Sequence, residues 1–369
     1  MWTFFCPTKI TFGAGTGRAA RETAQTYGTR PVLVSDATVA GVPAVQRILR
    51  TFEGAPVFDA VCPNPTTENV DALAALLRRE KAEVVVALGG GSVMDCAKAA
   101  ACLARTDEDH IRPFHSEGRE LPQDAVPLVA MPTTAGTGSE VTPFSVLNDQ
   151  EKGVKAPLAG PALYPACALV DPALTCSMPR TVTAATGLDA LAHAIEGYWS
   201  KNHQPVCDLL AKEAARRIFA HLETALREPE NTAAREAMSY AAVLAGMAFQ
   251  LPKNAMVHAC SYPLSNRYHL SHGAACAFLL EAAIELNAPH MDGRMEDFAA
   301  ACGFDGIAAM RNRIGALKAL GGLPRTLADA GIDPAEVPEI IGESFHPLIQ
   351  NNPKPVTEED LERIYAALA

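Results

Sequence analysis

The first half of the chain alternates short apolar runs with segments of helical periodicity. Four of these runs are rich in β-branched residues and short enough to be buried strands. They lie at residues 31–36, 56–61, 83–88 and 126–131. Between the second and third runs, apolar residues from Val70 to Leu77 recur at helical spacing. Strands that alternate with helices in this way form parallel sheets covered on both faces, so the pattern predicts an α/β domain.

The pattern changes near residue 180. Ala, Leu, Glu and Arg dominate from there on, and two long segments have helical periodicity, at residues 211–226 and 233–249. A chain of 369 residues is long enough for two domains. We therefore expect an α/β domain with a parallel sheet at residues 1–180 and an all-α domain at residues 181–369.

Composition and charge narrow the function further. The formal net charge is −11 and no long basic run is present, which argues against a nucleic-acid partner. Apolar stretches such as residues 274–280 are far shorter than a membrane span, and the N-terminus lacks the features of a signal peptide. We therefore expect a cytoplasmic protein. The ten cysteines include no Cys-x-x-Cys pair and lie mostly in apolar segments, which predicts reduced, buried thiols.

A glycine-rich junction at Gly89-Gly90-Gly91-Ser92 is the strongest candidate for binding a phosphate. It joins a predicted strand to a predicted helix, whose N-terminus offers free N–H groups and a positive dipole end. The alternative is a tight turn capped by Ser92, but three glycines exceed what a turn needs. The loop from Pro132 to Glu140, also rich in glycine and hydroxyl residues, follows the next predicted strand. Two such loops after separate strands favour a nucleotide site.

A second glycine cluster, Gly13-Ala14-Gly15-Thr16-Gly17, resembles a dinucleotide fingerprint but follows only a short apolar run. We interpret it as a turn. Asp36 ends a predicted strand and is placed to accept hydrogen bonds from an adenosine ribose, which favours NAD over NADP. The alternative role for Asp36 is a helix N-cap.

Three histidines and one aspartate form a candidate metal site. Asp189 and His193 are four residues apart, which places both side chains on one face of a helix. His258 and His272 supply two more imidazoles, and such a set suits a first-row divalent metal. The alternatives are unrelated core or surface histidines and a simple helix ion pair at Asp189 and His193.

Together these residues resemble the iron-containing (group III) alcohol dehydrogenases over nearly the whole chain. The matching motifs are Pro63-Asn64-Pro65, Gly89-Gly90-Gly91-Ser92 with Asp95, Ala97 and Lys98, the loop from Pro132 to Glu140, Asp171-Pro172, Asp189 with His193 and Glu196, the pair His258 and His272, and the run Asn352-Pro353-Lys354-Pro355-Val356-Thr357.

The resemblance implies a dinucleotide-binding α/β domain followed by an all-α metal-binding domain, assembled as a homodimer or higher homo-oligomer. It implies NAD(H) and one divalent metal, with iron expected and zinc and manganese as alternatives. By family position the metal ligands are Asp189, His193, His258 and His272. The nucleotide contacts implied in the same way are Asp36, Asn64, Gly90, Gly91, Ser92, Asp95, Thr133, Thr134, Val146 and Lys155. Such a site interconverts a small aldehyde and its alcohol.

Two positions depart from the family pattern. Tyr262 occupies the place where relatives have a histidine used for proton relay or as a pocket wall; a phenol can hydrogen-bond but does not titrate near neutrality. Lys253 replaces a common glycine. With Ser261-Tyr262-Pro263-Leu264 and Tyr198-Trp199-Ser200 it resembles the branch that reduces phosphonoacetaldehyde, with relatives acting on sulfoacetaldehyde as a neighbouring alternative. That phosphonoacetaldehyde branch often lacks the histidine equivalent to His193, which is present here. We expect Tyr262 and Lys253 to be catalytic. The expected substrate contacts are Thr142, Phe144, Lys253, Asn254, Tyr262 and Arg267.

Other functions stay open at this stage. A general short-chain alcohol or diol dehydrogenase has the same motifs without an anionic substrate. A metal-free maleylacetate-type reductase predicts missing ligands, and a dehydroquinate-synthase-like lyase predicts a strongly basic pocket. Transhydrogenation between a hydroxy acid and an aldehyde would require tightly retained nicotinamide. A non-catalytic nucleotide-binding protein predicts decay of either the metal ligands or the glycine loop.

Overall fold

The computed structural model describes all 369 residues, and the chain forms two compact units. The sheet unit comprises Phe5–Thr134 and Gly138–Ser177. The helical unit comprises Met1–Phe4, Ala135–Thr137 and Met178–Ala369. Among all the helices, none combines the length and the apolar character that crossing a membrane requires.

The sheet unit is built on six parallel strands in the order β1-β8-β5-β4-β2-β3. Their bounds are Lys9–Phe12 (β1), Pro31–Val34 (β2), Val57–Phe58 (β3), Val84–Gly89 (β4), Leu128–Pro132 (β5) and Cys167–Val170 (β8). A separate antiparallel hairpin consists of Phe144–Asp149 (β6) and Val154–Ala159 (β7). The parallel sheet expected from the alternating apolar runs is therefore confirmed.

Helices cover both faces of this sheet. They are Ala20–Gln25 (α1), Ala37–Ala40 (α2), Pro43–Thr51 (α3), Thr67–Arg79 (α4), Gly91–Leu103 (α5) and Arg112–His115 (α6). Alternate strand residues enter opposite cores: Val85 and Ala87 pack in one cluster with α4 and α5, and Val86 and Leu88 in the other with α1 and α3. Burial on both faces explains why the strands are continuous apolar runs.

Some strands differ from the sequence prediction. The run at residues 56–61 forms only Val57–Phe58, at the edge of the sheet. The β6–β7 hairpin was not predicted; its first strand buries every second residue but carries Ser, Asn and Asp, which hide the apolar alternation. Strand β8 was also missed, because its four residues Cys, Ala, Leu and Val include only one β-branched residue and so give a weak strand signal.

The helical unit contains the remaining helices. They are Arg180–Trp199 (α7), Pro205–Arg227 (α8), Thr232–Phe249 (α9), Met256–Arg267 (α10), His272–Asn287 (α11), Arg294–Ala301 (α12), Ile307–Gly321 (α13), Val337–Glu343 (α14) and Glu358–Ala366 (α15). The two helices predicted at residues 211–226 and 233–249 are confirmed inside α8 and α9. Helix α7 is buried along nearly its whole length from Thr183 onward and packs against α8, α9 and α11. Polar residues on α7 are thus placed in the core, where they need a partner or a ligand.

The late motif at residues 352–357 has a structural role. The buried amides of Asn287 and Asn352 exchange two hydrogen bonds of 3.0 and 2.7 Å. Thr357 forms a capping box with Asp360 at the start of α15. Although Asp360 is buried, hydrogen bonds from Lys354 and Thr357 lower the pKa of its carboxyl to about 2. This motif therefore anchors the C-terminal helix.

Candidate metal centre and nucleotide-binding residues

Helix α7 presents Asp189 and His193 on one face, one turn apart, as the spacing predicted. Asp189 and His193 are only 2% and 4% exposed. Asp189 Oδ2 lies 3.9 Å from His193 Nδ1, and the imidazole of His193 stacks on Phe249 with 4.2 Å between ring centroids. The two side chains are thus held deep in the helical unit rather than on a solvated face.

Helices α10 and α11 bring the other two histidines to the same place. His258 lies in the first turn of α10, and its Nε2 is 3.0 Å from His193 Nε2. His272 begins α11, and its Nε2 is 3.8 Å from Asp189 Oδ1. The side chain of His272 is 29% exposed, so the cluster is reached by solvent on this side. The structure therefore brings all four sequence-predicted metal ligands together.

The separations among these donor atoms fit a metal ion better than a hydrogen-bonded network. Asp189 Oδ1 is buried and has no hydrogen-bond partner, although His258 Nε2 and His272 Nε2 both lie 3.8 Å away. That distance is too long for a hydrogen bond. Two donors that share an ion at about 2.0–2.2 Å lie roughly 3–4 Å apart. A buried carboxylate oxygen left without a donor is costly unless a cation satisfies it.

Glu196, one helical turn beyond His193, orients His258. Its Oε2 accepts a hydrogen bond of 2.5 Å from His258 Nδ1, and its Oε1 accepts one of 2.6 Å from the Val257 N–H. A proton held on Nδ1 leaves the lone pair of Nε2 directed at the cluster, which is how a carboxylate prepares a histidine ligand. The sequence motif included Glu196 without giving it a function.

Electrostatics in the metal-free cluster favour a cation. Burial raises the pKa of Asp189 to about 6. Burial, followed by the charges of His258 and His272, lowers the pKa of His193 well below its usual range. For His258, burial disfavours the charged form, but Cys276 and Glu196 outweigh it and raise the pKa of that imidazole well above normal. Glu196 thus favours positive charge on His258, whereas burial penalises the ionised form of Asp189. A divalent ion bound between them would relieve that penalty directly.

Replacement of Glu196 by glutamine is expected to lower the metal affinity by about 10–100-fold. An amide keeps the shape but its oxygen is a weaker acceptor for the His258 Nδ1–H, so the imidazole loses its fixed tautomer and orientation. Titration of the metal-free protein with zinc in the presence of a competing chelator measures the change. An unchanged affinity would show that Glu196 does not orient the ligand.

Cys276 is a neighbour of the cluster that the sequence interpretation treated only as a core thiol. All ten cysteines are free, as predicted. Cys276 lies one turn after His272, and its Sγ is 3.9 Å from His272 Nε2. The spacing of four residues between His272 and Cys276 is visible in the sequence. It indicates a shared site only when the position of Asp189 on α7 is also known.

Tyr262 lies beside the metal ligands, as its position two turns into α10 suggests. Its ring stacks on that of His272 with 6.5 Å between centroids, and it is 8% exposed. On its other side, His346 packs edge-on at 5.0 Å. Burial lowers the pKa of His346, whose Nδ1 accepts a hydrogen bond from the Leu348 N–H. Sequence pattern alone does not connect His346 with Tyr262, because the two residues are 84 positions apart along the chain.

Lys253 occupies the short segment between α9 and α10. Its backbone has a φ of 66°, and its N–H donates to the Phe249 carbonyl at the end of α9. Glycine adopts this left-handed conformation without strain, whereas a lysine does so only at a cost. The lysine side chain is exposed. Two hydrogen bonds fix the backbone on either side of Lys253. Ser200 Oγ donates to the Pro252 carbonyl, and the side-chain amide of Asn351 donates to the Asn254 carbonyl.

Arg267, a predicted substrate contact, is already paired. Its guanidinium lies 2.7 Å from Glu339 and 3.1 Å from Glu343, and these carboxylates raise its pKa. Two carboxylates of the helical unit therefore neutralise the charge of Arg267, whereas Lys253 forms no such ion pair.

In the sheet unit, the glycine junction follows β4 directly. Gly90 precedes the first residue of α5, and a Cβ added to Gly90 would lie 3.3 Å from the Thr134 methyl group. The loops after β4 and β5 are thus in contact, as two neighbouring parallel strands require. Asn64 joins the first of these loops to the hairpin: its N–H donates to Ser92 Oγ, and its side-chain oxygen accepts from Lys155 Nζ of β7 at 3.0 Å. These predicted nucleotide contacts form one group.

Asp95 is buried among protein donors. Its carboxylate accepts from the Val146 N–H at 2.9 Å and from Ser139 Oγ at 2.6 Å. Lys98 in turn donates to Ser139 Oγ and to the carbonyls of residues 142 and 144, and burial lowers its pKa to about 8. The structure thus gives Asp95 a positioning role: it holds the loop after β5 and the first strand of the hairpin. The backbones of Thr142 and Phe144 are fixed by the same lysine.

Two of the remaining motifs are also explained by backbone contacts. Asp36 caps α2, with its Oδ1 accepting from the Val39 N–H at 2.9 Å, which is the alternative considered for it. The first glycine cluster is a turn, as interpreted: the N–H groups of Gly15 and Gly17 both donate to Asp171 Oδ2 at 3.1 Å. Gly15 has a φ of 87°, which requires glycine there.

Comparison with known proteins agrees with this arrangement. Residues 7–172 match the family described as "Iron-containing alcohol dehydrogenase", and residues 183–369 match "Fe-containing alcohol dehydrogenase family, C-terminal". The 1,3-propanediol dehydrogenase of Klebsiella pneumoniae is 34% identical over 99% of this chain and 98% of its own. The 1-propanol dehydrogenase PduQ of Salmonella typhimurium is 39% identical over 72% of this chain and 68% of its own.

Among solved structures, the sulfoacetaldehyde reductase of Bifidobacterium kashiwanohense in complex with NAD+ is 40% identical. It superposes with a TM-score of 0.95 over 100% of this chain and 99% of that one. The family matches cover nearly the whole chain, and the 1,3-propanediol dehydrogenase matches 99% of it. The chain therefore belongs to the iron-containing alcohol dehydrogenase family.

Proposed function

We propose that this protein is a metal-dependent NAD(H) oxidoreductase that reduces a short aldehyde to its primary alcohol. The observation that carries the proposal is the cluster formed by Asp189, His193, His258 and His272, with one buried carboxylate oxygen left unsatisfied. Iron is the metal proposed, in keeping with the family description, and zinc and manganese accept the same donors. Retention of all four donors argues against a metal-free maleylacetate-type reductase.

In this proposal each residue has a defined task. When bound, the metal polarises the carbonyl oxygen of the aldehyde and NADH supplies the hydride. Asp189 and the three histidines hold the metal, and Glu196 keeps the Nε2 of His258 turned toward it. Tyr262, next to His272, is the protein group proposed to pass a proton toward the product oxygen.

The cofactor proposed for the sheet unit is NAD(H). The solved relative with 40% identity was crystallised with NAD+. The N–H groups at the N-terminus of α5, beside the glycine junction, suit the binding of a pyrophosphate. Asn64, Ser92 and Lys155 are joined by hydrogen bonds beside it and present polar groups for the rest of the nucleotide.

For the substrate we propose an aldehyde with an anionic tail, namely sulfoacetaldehyde. The support is the overall match to a sulfoacetaldehyde reductase and the exposed cation of Lys253, five residues before His258. Arg267 is left out of this proposal because two glutamates neutralise it. A second candidate is a plain short-chain alcohol or diol, which is favoured by the similarity to propanol and propanediol dehydrogenases.

The test is NADH oxidation by the metal-free protein reloaded anaerobically with ferrous iron. The substrates are sulfoacetaldehyde, phosphonoacetaldehyde, glycolaldehyde and propanal. We expect iron-dependent turnover with the highest kcat/KM for sulfoacetaldehyde. Equal values for sulfoacetaldehyde and propanal would favour the general short-chain dehydrogenase. Absence of iron-dependent oxidation with every aldehyde would overturn the oxidoreductase proposal.

Replacement of Lys253 by glycine is expected to raise KM for sulfoacetaldehyde by about tenfold, the value of one charge-assisted hydrogen bond. KM for propanal should change less than about twofold, since it has no charge to bind. Because the residue has a φ of 66°, glycine relieves backbone strain, and thermal stability should not fall.

The matched control for this variant is Lys81→Gly. Lys81 is also an exposed lysine, with a φ of 51°, so the backbone and charge changes are equivalent but occur in the sheet unit after α4. It should leave both KM values unchanged. An equal rise in KM for sulfoacetaldehyde and propanal in Lys253→Gly would remove Lys253 from substrate recognition.

A further inference from the structure

The metal cluster contains a fifth candidate donor that the four-residue ligand set does not include. Cys276 lies on α11 one turn after His272, so both side chains project from the same face of that helix. The thiol is completely buried, and its Sγ is 3.9 Å from His272 Nε2. Ligand atoms of Asp189 and His258 also lie within 4.8 Å of this sulfur.

The spacing of these atoms is that of a ligand set. One donor atom from each of Asp189, His258, His272 and Cys276 lies within 4.8 Å of all the others. The second and independent observation is the buried Asp189 Oδ1, which has no hydrogen-bond partner and so calls for a cation at this position. A thiolate beside imidazole and carboxylate donors is a familiar environment for a first-row metal ion.

We propose that Cys276 supplies a sulfur donor to the metal, so that the centre is a mixed nitrogen, oxygen and sulfur site. The inference rests on the metal centre of the proposed function. As the sulfur–metal bond forms, the thiol S–H bond breaks and its proton leaves to solvent; no electrons are transferred. Sulfur is a softer donor than the other ligands, so Cys276 shifts the metal preference of the site toward zinc and cobalt relative to manganese.

The test uses cobalt(II) alone as the probe. Full-length metal-free protein is loaded anaerobically with cobalt, and bound cobalt is counted by elemental analysis. A cobalt–thiolate bond gives an intense near-ultraviolet charge-transfer band, which nitrogen and oxygen donors do not produce. We expect this band in the wild-type protein and its loss in Cys276→Ser, while the weaker visible bands of bound cobalt remain.

The control is Cys207→Ser, which changes another completely buried free thiol on α8. It should keep the band. Cys276→Ser should also lower zinc affinity by about tenfold or more, with a smaller effect on manganese. The wild-type spectrum is decisive even if Cys276→Ser fails to fold. If the wild-type protein binds one cobalt without a charge-transfer band, the proposal of a sulfur ligand is wrong but the proposed metal centre stands. If the wild-type protein does not bind cobalt, both proposals are wrong.

Discussion

Replacement of Asp189 by asparagine is expected to lower the metal affinity by more than about 100-fold, beyond what loss of a supporting residue causes. The amide removes the only carboxylate among the four predicted ligands but keeps nearly the same volume. Turnover with ferrous iron should fall with metal occupancy. Retention of iron and activity in Asp189→Asn would exclude Asp189 as a ligand.

The same substitution is expected to make the metal-free protein more stable. Burial raises the pKa of Asp189 from 3.8 to about 6, which means that the ionised carboxylate is penalised in the folded state. A shift of this size corresponds to about 2–3 kcal/mol of the free energy of unfolding at pH 7. Below about pH 4 the carboxyl is protonated in both the folded and unfolded states. The gain in stability should therefore be present above pH 6 and disappear below pH 4.

Urea unfolding of the metal-free proteins at pH 4, 5.5 and 7 measures this change, with Asp149→Asn as the control. Asp149 is buried too, but Arg112 and Ser116 hydrogen-bond its carboxylate and, despite burial, lower its pKa. Its ionised form stabilises the fold above the unfolded pKa, and this contribution is lost as pH falls through the folded pKa. Asp149→Asn should thus lower the free energy of unfolding by about 2 kcal/mol at pH 7. In a separate titration it should bind metal as tightly as the wild-type protein. Equal effects of both variants would show that burial at Asp189 is not the cause.

The sequence predicted those parts of the molecule that depend on local pattern. The parallel sheet followed from apolar runs such as residues 83–88, and α8 and α9 followed from helical periodicity. The placement of Asp189 beside His193 needed only the pitch of one helix. In contrast, Glu196 contacts α10 and Cys276 contacts α7 because of the way three helices pack together. Residue spacing along the chain does not predict this packing.

Several motifs that mark the family turned out to support the backbone. Asp171 organises the first glycine turn, and Asp95 holds the loop that follows β5. Asn352 pairs with Asn287 beneath the C-terminal helix. Each is a polar residue whose hydrogen-bond partners are main-chain groups or other side chains, far away in sequence. A resemblance marks such residues as typical of the family. The structure adds which protein groups they hydrogen-bond.

Substitution of Gly273 by alanine is expected to disrupt the metal centre without touching a metal ligand. Gly273 follows His272 at the start of α11, where this helix crosses α7. A Cβ at this position would lie 2.2 Å from the Ala185 carbonyl oxygen and 3.0 Å from Asp189 Cβ. Backbone atoms cannot yield as a side chain does, so α11 must move away from α7 by on the order of 1 Å. His272 moves with the helix, and Asp189 does not.

Two consequences follow for Gly273→Ala. The overpacked crossing should cost about 3 kcal/mol of unfolding free energy. Separation of His272 from Asp189 should reduce metal affinity by about 100-fold, because a displacement of 1 Å is large compared with the tolerance of a coordination shell. The control is Gly342→Ala on α14, where an added Cβ meets no atom within 4 Å and alanine favours the helix. Gly342→Ala should keep full metal affinity and equal or higher stability; a Gly273→Ala protein that matched it in both respects would show that the close approach of α7 and α11 does not set the ligand geometry.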